Sequence, residues 1–304
     1  MASGAVVVSE AVSGRPRGLS GPSRLHNADR ARYSGAATTQ GDVMNRVDGK
    51  VAVVSGGARG IGGATAALLA EAGASVVITD RLEADGQALA EEINGSGGTA
   101  VFLPHDVTLE SDWERVMAET VQRFGGLDIM VNNAGVWGRG VIEETTVDDF
   151  DQLCAVNLKG VFLGTKHAIR AMRNRPATAD SASIVNLSST AGLVGSATSA
   201  VYSMTKGGVR LFTKSTAIEV RAQGHNIRCN SVHPGATESP MQDHILATSN
   251  MSPDEIKSYM ETRNLLGRFG TARDIAKAIL FLASNDSAFM TGSEVVVDGG
   301  YTAR

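Results

Sequence analysis

The sequence predicts a single doubly wound α/β domain: a parallel sheet of about seven strands, helices on both faces, and a helical lid late in the chain. Three observations carry that reading. Short β-branched runs alternate with helical stretches from residue 50 onward; the runs are continuously apolar, as strands covered on both faces must be; and a glycine-rich turn joins the first run to the first helical stretch. In such folds ligands lie beyond the carboxyl ends of the strands, where the strand order reverses.

The elements follow in chain order. Residues 51–54, Val-Ala-Val-Val, read as the first strand, and 61–72 as the first helix. Further apolar runs at 75–78, 100–103, 129–131, 183–186, 227–232 and 294–297 supply the remaining strands. The stretches 150–173 and 202–221 read as helices with small and apolar residues on more than one face, suited either to a partner chain or to a fully covered core. Residues 240–266 break the alternation just after a strand end, where a substrate lid belongs. Residues 1–46 are rich in Ser, Gly, Ala and Arg without sustained periodicity and are expected to form a disordered tail, leaving 47–304 as the folded domain.

Bulk properties narrow the function. With 304 residues, 42% hydrophobic and 20% charged, the chain can build one large core. A formal net charge of -4 offers no positive surface for nucleic acid or an anionic membrane. No apolar run reaches the roughly 20 residues that span a bilayer, so a soluble, cytoplasmic protein is expected. Cys154 and Cys229 lie in apolar stretches and read as buried thiols in a reducing compartment, with a disulfide between them left open. The histidines are scattered, with no HExxH or CxxC pattern, and no metal site is expected.

The turn Ser55-Gly56-Gly57-Ala58-Arg59-Gly60-Ile61-Gly62 has the chemistry of a Rossmann-type dinucleotide loop. Gly56 permits the tight turn, Gly60 lets the backbone approach a pyrophosphate, and Gly62 allows close helix packing, with the helix amides facing the phosphates. Asp80, eighteen residues after Gly62, ends the second strand, where its carboxylate can accept from ribose hydroxyls and repel a 2′-phosphate. Arg59 and Arg81 lie nearby and offset part of that repulsion. NAD is therefore favoured, and NADP stays open.

Tyr202-Ser-Met-Thr-Lys206 sets a phenol and an ammonium four residues apart on one helix face. A phenol with a pKa near 10 is a poor base, but a cation roughly 4 Å away stabilises the phenolate by about 4 kcal/mol at an effective dielectric near 20. Ser189 lies thirteen residues upstream as a candidate donor to a substrate oxygen.

Together these residues resemble the short-chain dehydrogenase/reductase family over about residues 46–304. The glycine loop, Asp106-Val107, Asn132-Asn133-Ala134-Gly135, Asn157, Ser188-Ser189, Tyr202-x-x-x-Lys206, Pro234-Gly235 and Asp298-Gly299-Gly300 stand in the family's order and spacing. The resemblance implies a catalytic set of Asn157, Ser189, Tyr202 and Lys206, with Asn157 holding a water that links Lys206 to solvent. It implies Asp106 and Val107 beside the adenine, Asn133, Ala134 and Gly135 beneath the cofactor, and Thr237 and Ser239 at the nicotinamide carboxamide. Two positions depart from the family's usual threonine, Ser55 and Ser239, and both keep a hydroxyl. The likeness is greatest to cyclopentanol, secondary-alcohol and hydroxysteroid dehydrogenases, which implies a hydrophobic alcohol or ketone as substrate, with Trp137 and Val194 among the pocket walls. It also implies a homotetramer. A 3-oxoacyl-carrier-protein reductase and a non-catalytic cofactor sensor are the competing accounts.

Overall fold

Seven parallel strands form one sheet: β1 (Val51–Ser55), β2 (Ser75–Asp80), β3 (Thr99–Pro104), β4 (Ile129–Asn132), β5 (Ala182–Leu187), β6 (Ile227–Pro234) and β7 (Glu294–Val297). Their order is β3-β2-β1-β4-β5-β6-β7, so the winding reverses between β1 and β4. All seven strand runs expected from the sequence are present. The computed structural model describes residues 44–138, 140–174, 179–247 and 252–303. The expected tail lies outside the described residues except for 44–46, where Arg46 already pairs with Asp48 and donates to the carbonyl of Glu71 at 3.2 Å.

Side chains alternate across the sheet and split the core into two layers. Ala52 and Val54 of β1, with Val76 and Ile78 of β2, face α1 (Gly60–Glu71) and α2 (Glu83–Gly95) and meet Ile275, Ile279 and Leu282 of α9 (Ala272–Ala283). Val53, Val77, Met130 and Ile184 face the other way, against Trp113 and Val116 of α3 (Glu110–Phe124), Leu163 and Met172 of α5 (Val161–Met172) and Val220 of α6 (Ala200–Ala222). Helix α1 is Ala-rich and buried on most sides, as its place between sheet and α9 demands. Helix α9 starts at a capping box in which Thr271 accepts from the Asp274 amide at 3.1 Å and Asp274 accepts from the Thr271 amide at 2.9 Å.

Register levels the strand ends. Ser55 stands beside Thr79 on one side and Asn132 on the other, and Asn132 beside Asn186. Gly56, Asp80, Asn133 and Ser188 therefore leave the sheet along one rim.

One expected helix differs from the sequence reading. Residues 150–173 are not continuous: α4 (Val147–Cys154) runs through a π-helical turn, Ala155–Gly160, into α5. Such a turn accommodates an extra residue, and here it carries Asn157 toward the loop after β4, whose Val136 it clasps. The insertion at 240–266, expected to be mainly helical, holds two short helices among its described residues, α7 (Pro240–Ala247) and α8 (Pro253–Arg263), each opened by proline at its first position. Among the described residues no helix is long and apolar enough to cross a membrane. Cys154 and Cys229 are both free thiols, so they do not pair with each other.

Candidate active site

A cavity of about 590 Å³ opens at the reversal between β1 and β4. It is lined by Gly56, Arg59, Gly60, Ile61 and Gly62 after β1, by Asp80 and Arg81 after β2, and by Asp106 and Val107 after β3. The turn after β4 contributes Asn133, Ala134, Gly135 and Trp137; the loop after β5 adds Ser189 and Val194; helix α6 adds Tyr202 and Lys206; and Pro234, Gly235, Thr237 and Ser239 follow along β6. Of the residues expected at the site, Ser55 and Asn157 stand behind this wall instead of on it.

Both have definite work there. Ser55 Oγ accepts from the amides of Asn133 at 3.1 Å and Ala134 at 3.2 Å, while Asn133 Nδ2 donates to the carbonyls of Ser55 at 3.0 Å and Gly56 at 2.9 Å. The glycine loop is thus stapled to the end of β4. Asn157 Oδ1 accepts from the Val136 amide at 2.9 Å, and its Nδ2 donates to the Val136 carbonyl at 2.9 Å and to Thr205 Oγ1 at 3.2 Å. Both amide hydrogens are used, so the side chain binds the β4 loop to α6.

The glycine loop leaves no spare volume. A Cβ on Gly62 would lie 2.0 Å from the Gly56 carbonyl oxygen, and one on Gly56, whose φ is +62°, would lie 2.8 Å from Ala134 Cα. Arg59, at the N-cap of α1, supplies no side-chain cap, and the first turn holds no acidic residue. Uncapped amides at the positive end of a helix dipole, on the wall of a cavity, suit a pyrophosphate. A Cβ at Gly135 would sit 3.4 Å from Lys206 Nζ, so only glycine leaves that face of the ammonium open. These features fit a nicotinamide dinucleotide.

Asp80 accepts from the Ala58 amide at 3.2 Å and the Leu82 amide at 3.1 Å, which fixes its carboxylate at the rim. Both neighbouring arginines already have acidic partners: Arg59 lies 3.0 Å from Asp85, and Arg81 lies 3.9 Å from Asp106.

At the other end, Tyr202 and Lys206 sit one turn apart on α6, both buried. Lys206 Nζ donates to the Leu187 carbonyl at 2.9 Å and lies 5.8 Å from the Tyr202 ring centroid. Ser188 Oγ donates to the Lys206 carbonyl at 2.8 Å, holding the β5 loop on the helix. Burial pushes the Tyr202 phenol up to about 12, against a hydrogen bond from Ser189 that lowers it, and pushes Lys206 down to about 8. Loss of solvent outweighs the attraction expected from the four-residue spacing, because either charge is costly where water is excluded.

Several lining residues were not singled out by the sequence. Leu82 and His105 line the cavity beside Arg81 and Asp106, and burial holds the His105 imidazole neutral, with a pKa lowered to about 4. Tyr301 arrives from the chain end, returned by a turn in which Asp298 accepts from the amides of Gly300 and Thr302, each at 2.8 Å. Met241, Gln242 and Ile245 come from α7, inside the expected lid. A tyrosine directly after the Gly299-Gly300 pair was the available signal for Tyr301.

Comparison with known proteins decides the family. The family model described as "Enoyl-(Acyl carrier protein) reductase" matches residues 56–302. The chain is 42% identical to a trans-4-hydroxycyclohexanecarboxylate dehydrogenase of Sinomonas cyclohexanicum, over 86% of this chain and 96% of the relative. It is a short-chain dehydrogenase/reductase. A cyclopentanol dehydrogenase of Comamonas is 41% identical over 86% of this chain and all of its own length (100%). An NADP-dependent (R)-specific alcohol dehydrogenase of Lentilactobacillus kefiri is 40% identical over the same shares. The solved structure of a short-chain type dehydrogenase/reductase from Mycobacterium marinum matches with a TM-score of 0.78 and 31% identity, covering 86% of this chain and 98% of that one. This short-chain dehydrogenase/reductase therefore acts on CH–OH groups with a nicotinamide cofactor.

Proposed function

We propose that this short-chain dehydrogenase/reductase is NAD-dependent and interconverts a hydrophobic, cyclic secondary alcohol or hydroxysteroid with its ketone. The observation that carries the reading is that Ser189, Tyr202 and Lys206 line the same cavity as the uncapped amides of α1 and the Asp80 carboxylate. The α1 amides would hold the pyrophosphate, Asp80 the ribose hydroxyls, Asp106 and Val107 the adenine, and Thr237 and Ser239 with Pro234 and Gly235 the nicotinamide end.

An oxidised nicotinamide held there would supply a positive charge and an acceptor for the carbinol hydride. Tyr202 removes the alcohol proton as phenolate, or returns it in the reverse direction. Ser189 donates to the substrate oxygen as charge gathers there. The Lys206 ammonium stabilises the phenolate electrostatically, and any further positive charge in the cavity lowers the Tyr202 pKa from its raised value. Asn157 acts at one remove, by holding the β4 loop beside Lys206.

What supports NAD is the Asp80 carboxylate at the rim together with the acidic partners already on Arg59 and Arg81. What supports a hydrophobic cyclic substrate is the apolar part of the lining, Trp137, Val194, Met241 and Ile245, and the cyclic alcohols that the relatives' names carry. A homotetramer is supported by apolar side chains left in solvent on α5 and α6, Phe162, Leu211 and Ile218, and at Phe289. Free Cys154 and Cys229 support a reducing cytoplasm.

Reduction of NAD and of NADP across cyclopentanol, cyclohexanol, aryl and steroid secondary alcohols, each with the parent and Tyr202→Phe, tests cofactor and substrate class together. Higher kcat/KM with NAD on a cyclic alcohol, lost in Tyr202→Phe, is the expected result. Turnover confined to NADPH and a 3-oxoacyl thioester would favour the carrier-protein reductase reading.

A further inference from the structure

We propose that His233 is a positioning residue for Ser189, its Nδ1–H pinning the main-chain carbonyl of Ser189 so that the serine hydroxyl is held toward the substrate oxygen. The inference rests on the catalytic reading of Ser189 given above.

The β5–β6 ladder runs to Leu187 opposite Val232 and makes one further bond, from the Ser188 amide to the Val232 carbonyl at 2.9 Å. Beyond that point no strand partner meets the chain, and Ser189, still extended, turns into a short 3₁₀ segment. Its carbonyl is met by the imidazole of His233 at 3.2 Å and by the Gly192 amide at 2.9 Å. Its own Oγ accepts from the Ala191 amide at 3.1 Å. The histidine is therefore the side-chain strut, reaching in from the next strand, that takes over where the ladder ends.

Chemistry fixes which nitrogen carries the proton. A carbonyl only accepts, so Nδ1 is the donor and Nε2 the lone pair, and Nε2 accepts from Ser231 Oγ at 2.8 Å. His233 is fully buried, and burial lowers its pKa while Glu294, Arg210 and Lys206 act on it through space. A neutral ring with both nitrogens engaged is a rigid prop. No proton transfer in the proposed reaction passes through it.

The two nitrogens can be tested separately. Asparagine puts an amide nitrogen near the Nδ1 position and keeps the Ser189 contact; glutamine reaches the Nε2 position and keeps only the Ser231 contact. With cyclopentanol and NAD, His233→Gln and His233→Leu should lose about tenfold in kcat, while His233→Asn stays within about threefold of the parent and the KM for NAD holds within about twofold throughout. In a Ser189→Ala background, His233→Leu should cost nothing further, because its effect acts through the missing hydroxyl. Equal losses in the Asn and Gln variants that track their melting temperatures would reduce His233 to a packing residue and overturn the proposal. So would parental kcat in His233→Leu, or losses that add to those of Ser189→Ala. If Ser189→Ala itself keeps full turnover, the catalytic reading of that serine fails and this inference with it; if Ser189→Ala loses turnover and His233→Leu does not, only this inference fails.

Discussion

The glycine-loop half of the cavity presents main-chain atoms held in place by the side chains of Ser55 and Asn133, whereas the Ser189–Tyr202 half presents side chains whose protonation burial has displaced. In the first half, specificity for shape comes from missing volume: the positions of Gly56 and Gly62 leave no room for a methyl group. In the second, volume is secondary, and what matters is which proton sits where. The contrast teaches that a mutation should damage binding on one side and turnover on the other.

The largest expected effect tests the chemical half. Tyr202→Phe keeps the ring and removes the hydroxyl, so kcat should fall by about 10³-fold, within the range of general acid–base catalysis. Titration with NADH, followed by its fluorescence, should give an affinity within about twofold of the parent, since binding at the other end rests mainly on main-chain groups. A kcat within tenfold of the parent would remove Tyr202 from the acid/base role.

The mirror experiment is Gly62→Ala. The added Cβ must displace the Gly56 carbonyl, 2.0 Å away, and with it the loop that Asn133 staples in place. NADH affinity should drop at least about tenfold and stability by about 1–3 kcal/mol, the usual cost of forcing an extra carbon into a packed site. Saturating cofactor should restore most of kcat. If the loss appears in kcat with unchanged affinity, the division between the halves is wrong.

Legibility in the sequence divides along the same line. The seven strands and the glycine loop could be read because local chemistry dictates them: continuous β-branched runs for a sheet covered on both faces, and glycine where a side chain cannot fit. The rest depends on what the fold brings from far away. The π-helical turn at Ala155–Gly160 accompanies the clasp between Asn157 and Val136, which lie twenty-one residues apart. Tyr301 reaches the cavity only because the chain end folds back, and His233 reads in the sequence like any buried histidine. The Tyr202–Lys206 spacing revealed a neighbour but not the loss of water, and loss of water sets the direction of both pKa shifts.

A third variant sharpens the boundary between the halves at the cofactor's ribose. Asp80→Asn removes the negative charge while keeping an acceptor for the Ala58 or Leu82 amide. The ratio of kcat/KM for NADP to that for NAD should rise about tenfold, because a charge facing the 2′-phosphate at close range is removed. The gain should grow in the Asp80→Asn/Asp85→Ala double variant, where Arg59 loses its partner at 3.0 Å. An unchanged ratio in both would show that Asp80 does not select the cofactor.

The smallest effect concerns stability and separates Lys206 from its neighbours. Its pKa is lowered from 10.5 to about 8 by burial, so between those values the unfolded chain binds the proton that the folded chain has released. Stability must then rise with pH through that window. Tyr202, raised from 10.0 to about 12, acts in the opposite sense and only above pH 10, where the folded chain keeps a proton that the unfolded chain has lost. From pH 7.5 to 8.5 the lysine alone should add roughly 0.7 kcal/mol to unfolding free energy, half the limiting slope for one proton. Urea unfolding at fixed protein concentration, parent against Lys206→Met, isolates the term, since groups elsewhere titrate alike in both. The stability difference between the two proteins should shift in the parent's favour by that amount across the interval. A constant difference would mean that the ammonium is solvated, and that the side-chain half of the cavity is wetter than its burial indicates.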